Sequence, residues 1–180
     1  MTANLLWLVL AAPFLGIAPV VLAGRRSRSA AAWSAAAVMA AGLAALAPLL
    51  PAVFSGRPTV VRAHWLPEWG LDLALRLDGL GLLFALLILG IGLLIVLYAA
   101  YYLPKYDRLG LFYAELLAFA GGMLGVVLAE NMIMMLVFWE ITSLTSFLLI
   151  AYKYEYTDAR IAARMALAVT GGGGLALLAG

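Results

Sequence analysis

The chain has 180 residues, of which 67% are apolar and 11% charged, with a net charge of +2 and a mean hydropathy of +1.09. Water-soluble domains contain about 45–50% apolar and about 25% charged residues, because polar side chains must cover their surface. The composition therefore excludes a soluble globular protein, a disordered chain and a nucleic-acid-binding module. Since each membrane-crossing helix needs roughly 20 apolar residues, the length allows about five or six crossings and no large soluble domain beside them.

Six apolar stretches predict transmembrane helices. The first, at about 3–23, lacks the basic leading region of a signal peptide, so we expect it to be retained as a helix. The second, at about 30–54, is rich in alanine, and small residues let membrane helices approach closely. The remaining four stretches lie at about 79–102, 110–129, 132–152 and 158–180. Together they predict an all-α, multi-pass protein forming a single transmembrane domain.

The segment at about 58–77 has a different pattern. Apolar and polar side chains alternate along 71–78 and along 61–65, and a period of two is typical of strands. The turn residues at 67–70 separate the two segments. We therefore predict an antiparallel β-hairpin on the membrane surface, with Trp65 and Trp69 at the interface that tryptophan favours.

The residues available for cofactor chemistry are few. The chain has no cysteine and one histidine, His64, which we expect at the protein surface. It offers no thiolate for an iron–sulfur cluster or a zinc ion, and one histidine is too few for a multi-histidine centre. The run Gly79-Leu80-Gly81 lacks the third glycine of a dinucleotide-binding turn. We predict no cofactor, no metal site and no catalytic residue for covalent chemistry.

Positive charges predict the orientation of the chain. Loops on the cytoplasmic side of membrane proteins carry an excess of Lys and Arg. Alternate loops here divide eight to three, which places the N-terminus and the hairpin outside. The eight are Arg25, Arg26, Arg28, Lys105, Arg108, Lys153, Arg160 and Arg164, and the three are Arg57, Arg62 and Arg76. We interpret Arg25, Arg26 and Arg28 as topology signals only. The last stretch has no closing loop or basic anchor, so we expect a larger protein of which this is the start.

Glu140 is the main candidate for function. It lies inside a predicted span, roughly 12 Å from the nearer boundary at about 1.5 Å per residue. A charged group near the bilayer centre costs at least about 2.5 kcal/mol on insertion scales, so such groups are usually paired, protonated or functional. Because burial penalises the charged carboxylate, the position predicts reversible proton binding. Ser143 shares its helix face and, with Thr142, predicts a polar path. Alternatively, Glu140 only hydrogen-bonds a neighbouring helix and the hydroxyls serve close packing.

Other polar or unusual residues are weaker candidates. Glu115 lies about five residues into its span, near enough to the boundary to reach the headgroups, so a place on the polar path is a local hypothesis. The run Gly171, Gly172, Gly173 and Gly174 weakens helical preference by about 1 kcal/mol per residue, which allows a hinge or broken helix at an ion path, although close packing is the favoured interpretation. Asp78 is expected to cap a helix or pair with Arg76. Glu130 and Asn131 indicate an interfacial turn and a helix start.

Several runs of sequence carry a family resemblance. They are Arg76–Leu80, Leu82–Ile88, Phe138–Ile150 and Val169–Gly172, and Trp139-Glu140-Ile141-Thr142-Ser143 is the most specific part. They resemble the large A-type chain of Mrp-type multisubunit cation/proton antiporters over most of positions 60–180. The same superfamily includes the antiporter-like membrane subunits of respiratory complex I and of membrane-bound hydrogenases.

The resemblance implies a fold of about fourteen helices built from two inverted five-helix repeats, of which this chain supplies the start. In that family, the glutamate at the position of Glu140 pairs with a lysine on the seventh helix, beyond the present sequence. Lys153 is expected in a loop and does not take that role. Glu115 matches no functional motif of the family, and Glu130-Asn131 departs from its Ser-Asp-Asn type of turn.

The expected function is therefore that of a secondary-transporter subunit rather than an enzyme. It would belong to a hetero-oligomeric Na⁺/H⁺ antiporter in a prokaryotic plasma membrane, with Na⁺, H⁺, the lipid bilayer and other membrane subunits as partners, and no nucleic acid. Glu140 would carry the proton. One alternative is a proton-pumping membrane-arm subunit of a complex I-like or hydrogenase-like oxidoreductase, with the redox cofactors on other subunits. Another is a structural subunit in which Glu140 only joins helices.

Overall fold

The computed structural model describes residues 4–66, 71–104 and 107–180. Within those ranges, six segments are long and apolar enough to cross a membrane. The elements are α1 (Leu5–Arg26), α2 (Arg28–Leu46), α3 (Leu50–Phe54), β1 (Thr59–Leu66), β2 (Leu71–Leu77), α4 (Gly79–Tyr102), α5 (Leu109–Leu128), α6 (Met132–Ile150) and α7 (Thr157–Ala179). The predicted architecture, an all-α membrane protein with a small antiparallel hairpin, is confirmed.

The second predicted stretch is not one continuous α-helix. α2 ends at Leu46, a 3₁₀ turn covers Ala47–Leu49, and α3 resumes at Leu50. Pro48 and Pro51 lie in this segment, and a proline has no N–H to donate to the α-helical ladder, which explains the local tightening. A second 3₁₀ turn at Ala151–Lys153 ends the fifth crossing in the same way, although no proline lies there.

The helices pack around α5. It contacts α1, α2, α4 and α6, while α1 packs on α2 and α2 packs on α4. Just over half of the α5 span is buried, compared with 17% of the span formed by α6 and 11% of the span formed by α7. α7 contacts α6 and the turn that joins them. The bundle therefore has a closed side, made by α1, α2, α4 and α5, and an open side made by α6 and α7.

The backbones of α1 and α5 come close together where they cross. A Cβ atom built on Gly24 would lie 2.8 Å from the Cα of Gly110, and one on Gly110 would lie 3.0 Å from the Cα of Gly24. Backbones this close leave no room for a side chain on either helix, which is the packing that small residues permit in membranes.

The hairpin pairs β1 with β2 in an antiparallel register from Thr59–Leu77 to Leu66–Leu71, with an irregularity between His64 and Leu66. Leu75 and Leu77 are fully buried beneath it, as the period of two predicts. Ala74, on the polar side of the pattern, is also buried, because the turn between α5 and α6 covers it. The turn at 67–70, Trp69 and the side chain of Trp65 lie outside the described residues.

The ends of the bundle differ in charge and in contents. We call the end with the α1–α2, α4–α5 and α6–α7 connections the basic end, since seven of the eight basic residues counted above lie in those connections or in the adjoining helix turns. The eighth, Lys105, lies outside the described residues. The end that carries β1, β2 and the α5–α6 turn is called the hairpin end.

Candidate functional site

Glu140 lies on α6 and faces α7. α6 begins at Met132, where the Asn131 side chain accepts a hydrogen bond from the Met134 backbone N–H at 2.7 Å, as the predicted helix start requires. One residue before the carboxylate, Trp139 Nε1 donates to the backbone oxygen of Thr170 at 3.1 Å. This bond ties the two helices together beside Glu140.

The carboxylate of Glu140 rests against the glycine run of α7. A Cβ atom built on Gly171 would lie 3.9 Å from Oε2, and one built on Gly174 would collide with Oε1. Oε1 is buried and has no hydrogen-bond partner among the described residues. Since a buried polar atom without a partner is costly in an apolar medium, Oε1 is available to a ligand that the described residues do not supply.

The glycine run itself forms regular helix. α7 continues without interruption from Thr157 to Ala179, so the less favoured of the two interpretations, a hinge or broken helix, is not seen in this structure. Residues three or four positions apart lie on the same face of a helix. Gly171 and Gly174 therefore both face Glu140 on α6, whereas a Cβ on Gly172 or Gly173 would meet open space. Two of the four glycines therefore make room for a carboxylate.

The hydroxyl groups predicted to line a polar path donate to their own helix. Thr142 Oγ1 and Ser143 Oγ both donate to the backbone oxygen of Trp139, at 2.7 and 3.1 Å. Ser143 is 2% exposed. Their donor hydrogens are thus engaged, and only oxygen lone pairs remain for an ion or a water molecule. A polar path through these two residues stays a prediction.

Glu115 is not part of the same site. On α5, Phe112 packs edge-on against Tyr152 at the basic end, with ring centroids 5.4 Å apart, whereas Gly122 lies against Thr142. Glu115 lies near the level of Phe112, so its depth differs from that of Glu140 by on the order of 10 Å along the helices. Its Oε2 is buried without a partner among the described residues.

The α5–α6 turn is fastened to the hairpin, a contact not predicted from the sequence. The Glu130 backbone N–H donates to Ala74 O at 2.9 Å, and the Asn131 side chain donates to Asp72 O at 2.8 Å. The Glu130 carboxylate lies 3.5 Å from Arg62 and 4.0 Å from Arg76. The strand register places the two arginines diagonally opposite each other on one face of the hairpin. The alternating pattern of the sequence therefore indicated that they could share an acidic partner.

The remaining predicted positions behave as ordinary structural residues. Asp78 caps α4, accepting the Gly81 N–H at 2.9 Å, and pairs with Arg76 at 3.5 Å. The Gly81 N–H, aided by Arg76, holds the pKa of Asp78 below its usual range. His64 is exposed and pairs with Asp72 at 3.0 Å. Within residues 4–66, 71–104 and 107–180, no three His, Asp or Glu side chains gather as metal ligands.

Arg28 has a structural role beyond topology. Its guanidinium donates to the backbone oxygens of Leu103, Pro104 and Asp107, at 2.9, 2.7 and 3.2 Å. It therefore holds the α4–α5 connection against the start of α2. These partners are more than 70 residues away in sequence, and no local pattern signals them.

The chain is similar to proteins named as antiporter subunits. The chain is 45% identical over 177 residues to the probable K⁺/H⁺ antiporter A/B subunit of Rhizobium meliloti (strain 1021), an alignment that covers 98% of this chain and 18% of that protein. It is 48% identical over 132 residues to the Na⁺/H⁺ antiporter A1 subunit of Staphylococcus aureus (strain JH9), covering 73% of this chain and 16% of that protein. In fold, 97% of this chain matches 18% of a chain in the Mrp complex from Dietzia sp. DQ12-45-1b, with a TM-score of 0.85 and 34% identity. The predicted resemblance to the large chain of Mrp antiporters is confirmed.

This chain spans less than a fifth of the length of these antiporter relatives. Residues 65–113 also match the family described as NADH-ubiquinone oxidoreductase (complex I), chain 5 N-terminus. A chain of the membrane-bound sulfane sulfur reductase, an archaeal respiratory membrane complex, matches 95% of this chain and 35% of its own length, with a TM-score of 0.81 and 20% identity. That last likeness concerns the fold alone. The antiporter resemblance and the complex I relationship are thus both present, and the antiporter one extends further along the chain.

Proposed function

We propose that this chain is part of the large A-type chain of a multisubunit cation/proton antiporter in a prokaryotic plasma membrane, with its N-terminus and hairpin extracytoplasmic. Glu140 is the proton-carrying group. The observation that carries the proposal is the Glu140 carboxylate on α6. Its Oε1 is buried without a partner among the described residues and lies against the glycines of α7. The names of the antiporter relatives support the same activity.

The mechanism is a coupled titration. When a cation or a partner's ammonium group approaches Glu140, the positive charge stabilises the carboxylate and the proton leaves. When the positive charge withdraws, the apolar surroundings favour the protonated carboxyl and a proton returns. No covalent step is required of this chain. Thr142, Ser143 and Glu115 are proposed to line the route, and the first two contribute lone pairs rather than donors.

The proposal predicts that Glu140→Gln abolishes exchange while preserving assembly, because the amide keeps the size of the side chain but does not titrate near neutral pH. Everted vesicles carrying the whole complex are energised, Na⁺ or K⁺ is added, and lumenal pH is followed. Glu155→Gln is the matched control, since Glu155 is exposed in the connection after α6 and should leave exchange unchanged. Retained cation-dependent proton flux in Glu140→Gln would remove Glu140 from the proton route.

The second candidate is a redox-driven proton pump, favoured by the match of residues 65–113 to the complex I family. In the same vesicles, that function predicts no response to Na⁺ or K⁺ in the wild type and a proton gradient built by oxidation of NADH or hydrogen. Either result decides between the two.

A further inference from the structure

A groove of about 750 Å³ runs between α2 and α4 at the basic end. Its deeper walls are apolar and include Ala32 and Ala36 of α2 and Leu93 and Leu97 of α4. From Arg28 to Ala36 the groove follows α2 for roughly 12 Å, at about 1.5 Å per residue. One leaflet of a bilayer contributes about half of the roughly 30 Å hydrocarbon core. Below the mouth, the groove is therefore deep enough to hold part of one acyl chain.

The mouth of the groove has the composition of a headgroup region. Arg28 and Ser29 line it, and Trp33 and Tyr101 flank it with 77% and 86% of their surfaces exposed. Tryptophan and tyrosine favour the level of the lipid headgroups, where an apolar ring and a polar group are both accommodated. The mouth thus faces the headgroups while the apolar part lies among acyl chains.

Among the described residues, no carboxylate lies within ion-pairing distance of Arg28 at the mouth. Arg28 donates to three backbone oxygens, and Asp107 contributes its backbone oxygen rather than its carboxylate. The ion pairs found among the described residues do not include Arg28. A guanidinium has five N–H groups, so two remain to donate. Arg25 and Arg26, at the end of α1, are exposed and lie within three residues of Arg28 in the sequence. They add to the positive potential at the mouth of the groove.

We propose that this groove binds an anionic phospholipid, with its phosphate at Arg28 and one acyl chain between α2 and α4. Charge complementarity selects an anionic headgroup over a zwitterionic one, as in other basic pockets between transmembrane helices. Arginine matches the geometry of a phosphate with paired N–H donors. The site is far from Glu140, and its occupancy does not depend on the transport function proposed above.

The test uses the whole purified complex in detergent, stripped of lipid and then titrated with phosphatidylglycerol or phosphatidylcholine. Native mass spectrometry counts the lipids retained per complex and gives their apparent affinities. Arg28→Gln removes the charge, Ala36→Phe fills the apolar end of the groove, and Arg57→Gln removes an exposed arginine at the hairpin end as a matched control.

We expect phosphatidylglycerol to be retained in preference to phosphatidylcholine, with one fewer tightly held molecule per copy of the chain in Ala36→Phe. Arg28→Gln should weaken the apparent affinity by about five-fold, the effect of one arginine near an anionic surface. Arg57→Gln should match the wild type. If Arg28→Gln fails to assemble, Ala36→Phe decides alone. Equal lipid retention in Ala36→Phe and wild type, as expected if a protein helix fills the groove, would overturn the proposal. Equal retention of phosphatidylglycerol and phosphatidylcholine would also overturn it.

Discussion

The two interfaces of α6 use glycine for opposite purposes. Toward α5, Gly125 receives the ring of Phe138 and Gly122 lies against Thr142, so the space beside each glycine is filled by apolar or internally bonded groups. Toward α7, Gly171 and Gly174 face the carboxylate of Glu140. The first interface is filled by side-chain atoms, and the second holds a polar atom without a partner among the described residues. A glycine in a membrane helix therefore has to be interpreted through the residue opposite it.

Replacing Gly174 is the strongest way to break this comparison. In Gly174→Ala the new methyl group would collide with Oε1, and overpacking costs about 1–3 kcal/mol, so the native carboxylate position loses on the order of tenfold or more in population. We expect cation-dependent proton flux in everted vesicles to fall correspondingly.

Gly173→Ala is its control, because a Cβ there meets open space and alanine favours the helix by about 1 kcal/mol. Normal flux in both variants would show that the space left by Gly174 has no functional importance.

At the other interface, Gly125→Ala should reduce stability rather than transport chemistry. A methyl group at this position meets the ring of Phe138, which is itself packed against the core, and we expect a loss of about 1–3 kcal/mol. The thermal unfolding midpoint of the purified complex measures it, with Gly90→Ala as the control at an open position. An unchanged midpoint in Gly125→Ala would mean that the α5–α6 contact is looser than described.

Trp139→Phe tests the bond that joins α6 to α7. It removes the donor to Thr170 O and keeps most of the ring, so the expected cost is about 0.5–1.5 kcal/mol. Hydrogen exchange in α7 should increase more than exchange in α5. Equal changes in the two helices would show that the tryptophan does not act locally at this interface.

The smallest effect is expected outside both interfaces, at the cap of α4. Asp78→Ala should cost up to about 1 kcal/mol, while Asp78→Asn retains a capping oxygen and costs less. Because the folded-state pKa of Asp78 is lowered, the stabilisation by its charged form is present above about pH 4 and lost as the pH falls through the lowered value. Unfolding of wild type and Asp78→Asn between about pH 3 and pH 7 should therefore differ in slope only at the acid end.

The sequence predicts the crossings and the hairpin because the bilayer permits few alternatives. An apolar run of about 20 residues has to satisfy its backbone as a helix, and the alternation along 71–78 is incompatible with one. The break after Leu46 was not predicted, although Pro48 and Pro51 in the run are residues that interrupt an α-helix. Glu140 stood out because charges inside spans are rare.

The contacts that the sequence could not predict join distant segments. The alternation of the hairpin places Arg62 and Arg76 on one face but does not identify Glu130 as their partner. The contact of Arg28 with the α4–α5 connection depends on which helices become neighbours. The glycine run was ambiguous for the same reason. Four consecutive glycines permit either a break or a close approach, and only the carboxylate facing Gly171 and Gly174 distinguishes the two.

The crossing of Gly24 with Gly110 has a consequence for biogenesis. The two glycines are separated by 86 positions (110 minus 24), and the chain is synthesised from its N-terminus at about 5–20 residues per second, so α1 precedes its docking partner by roughly 4–17 s. During that interval α1 lacks its α5 contact. A glycine at the docking face presents no polar side chain to the bilayer, which limits the cost of the delay.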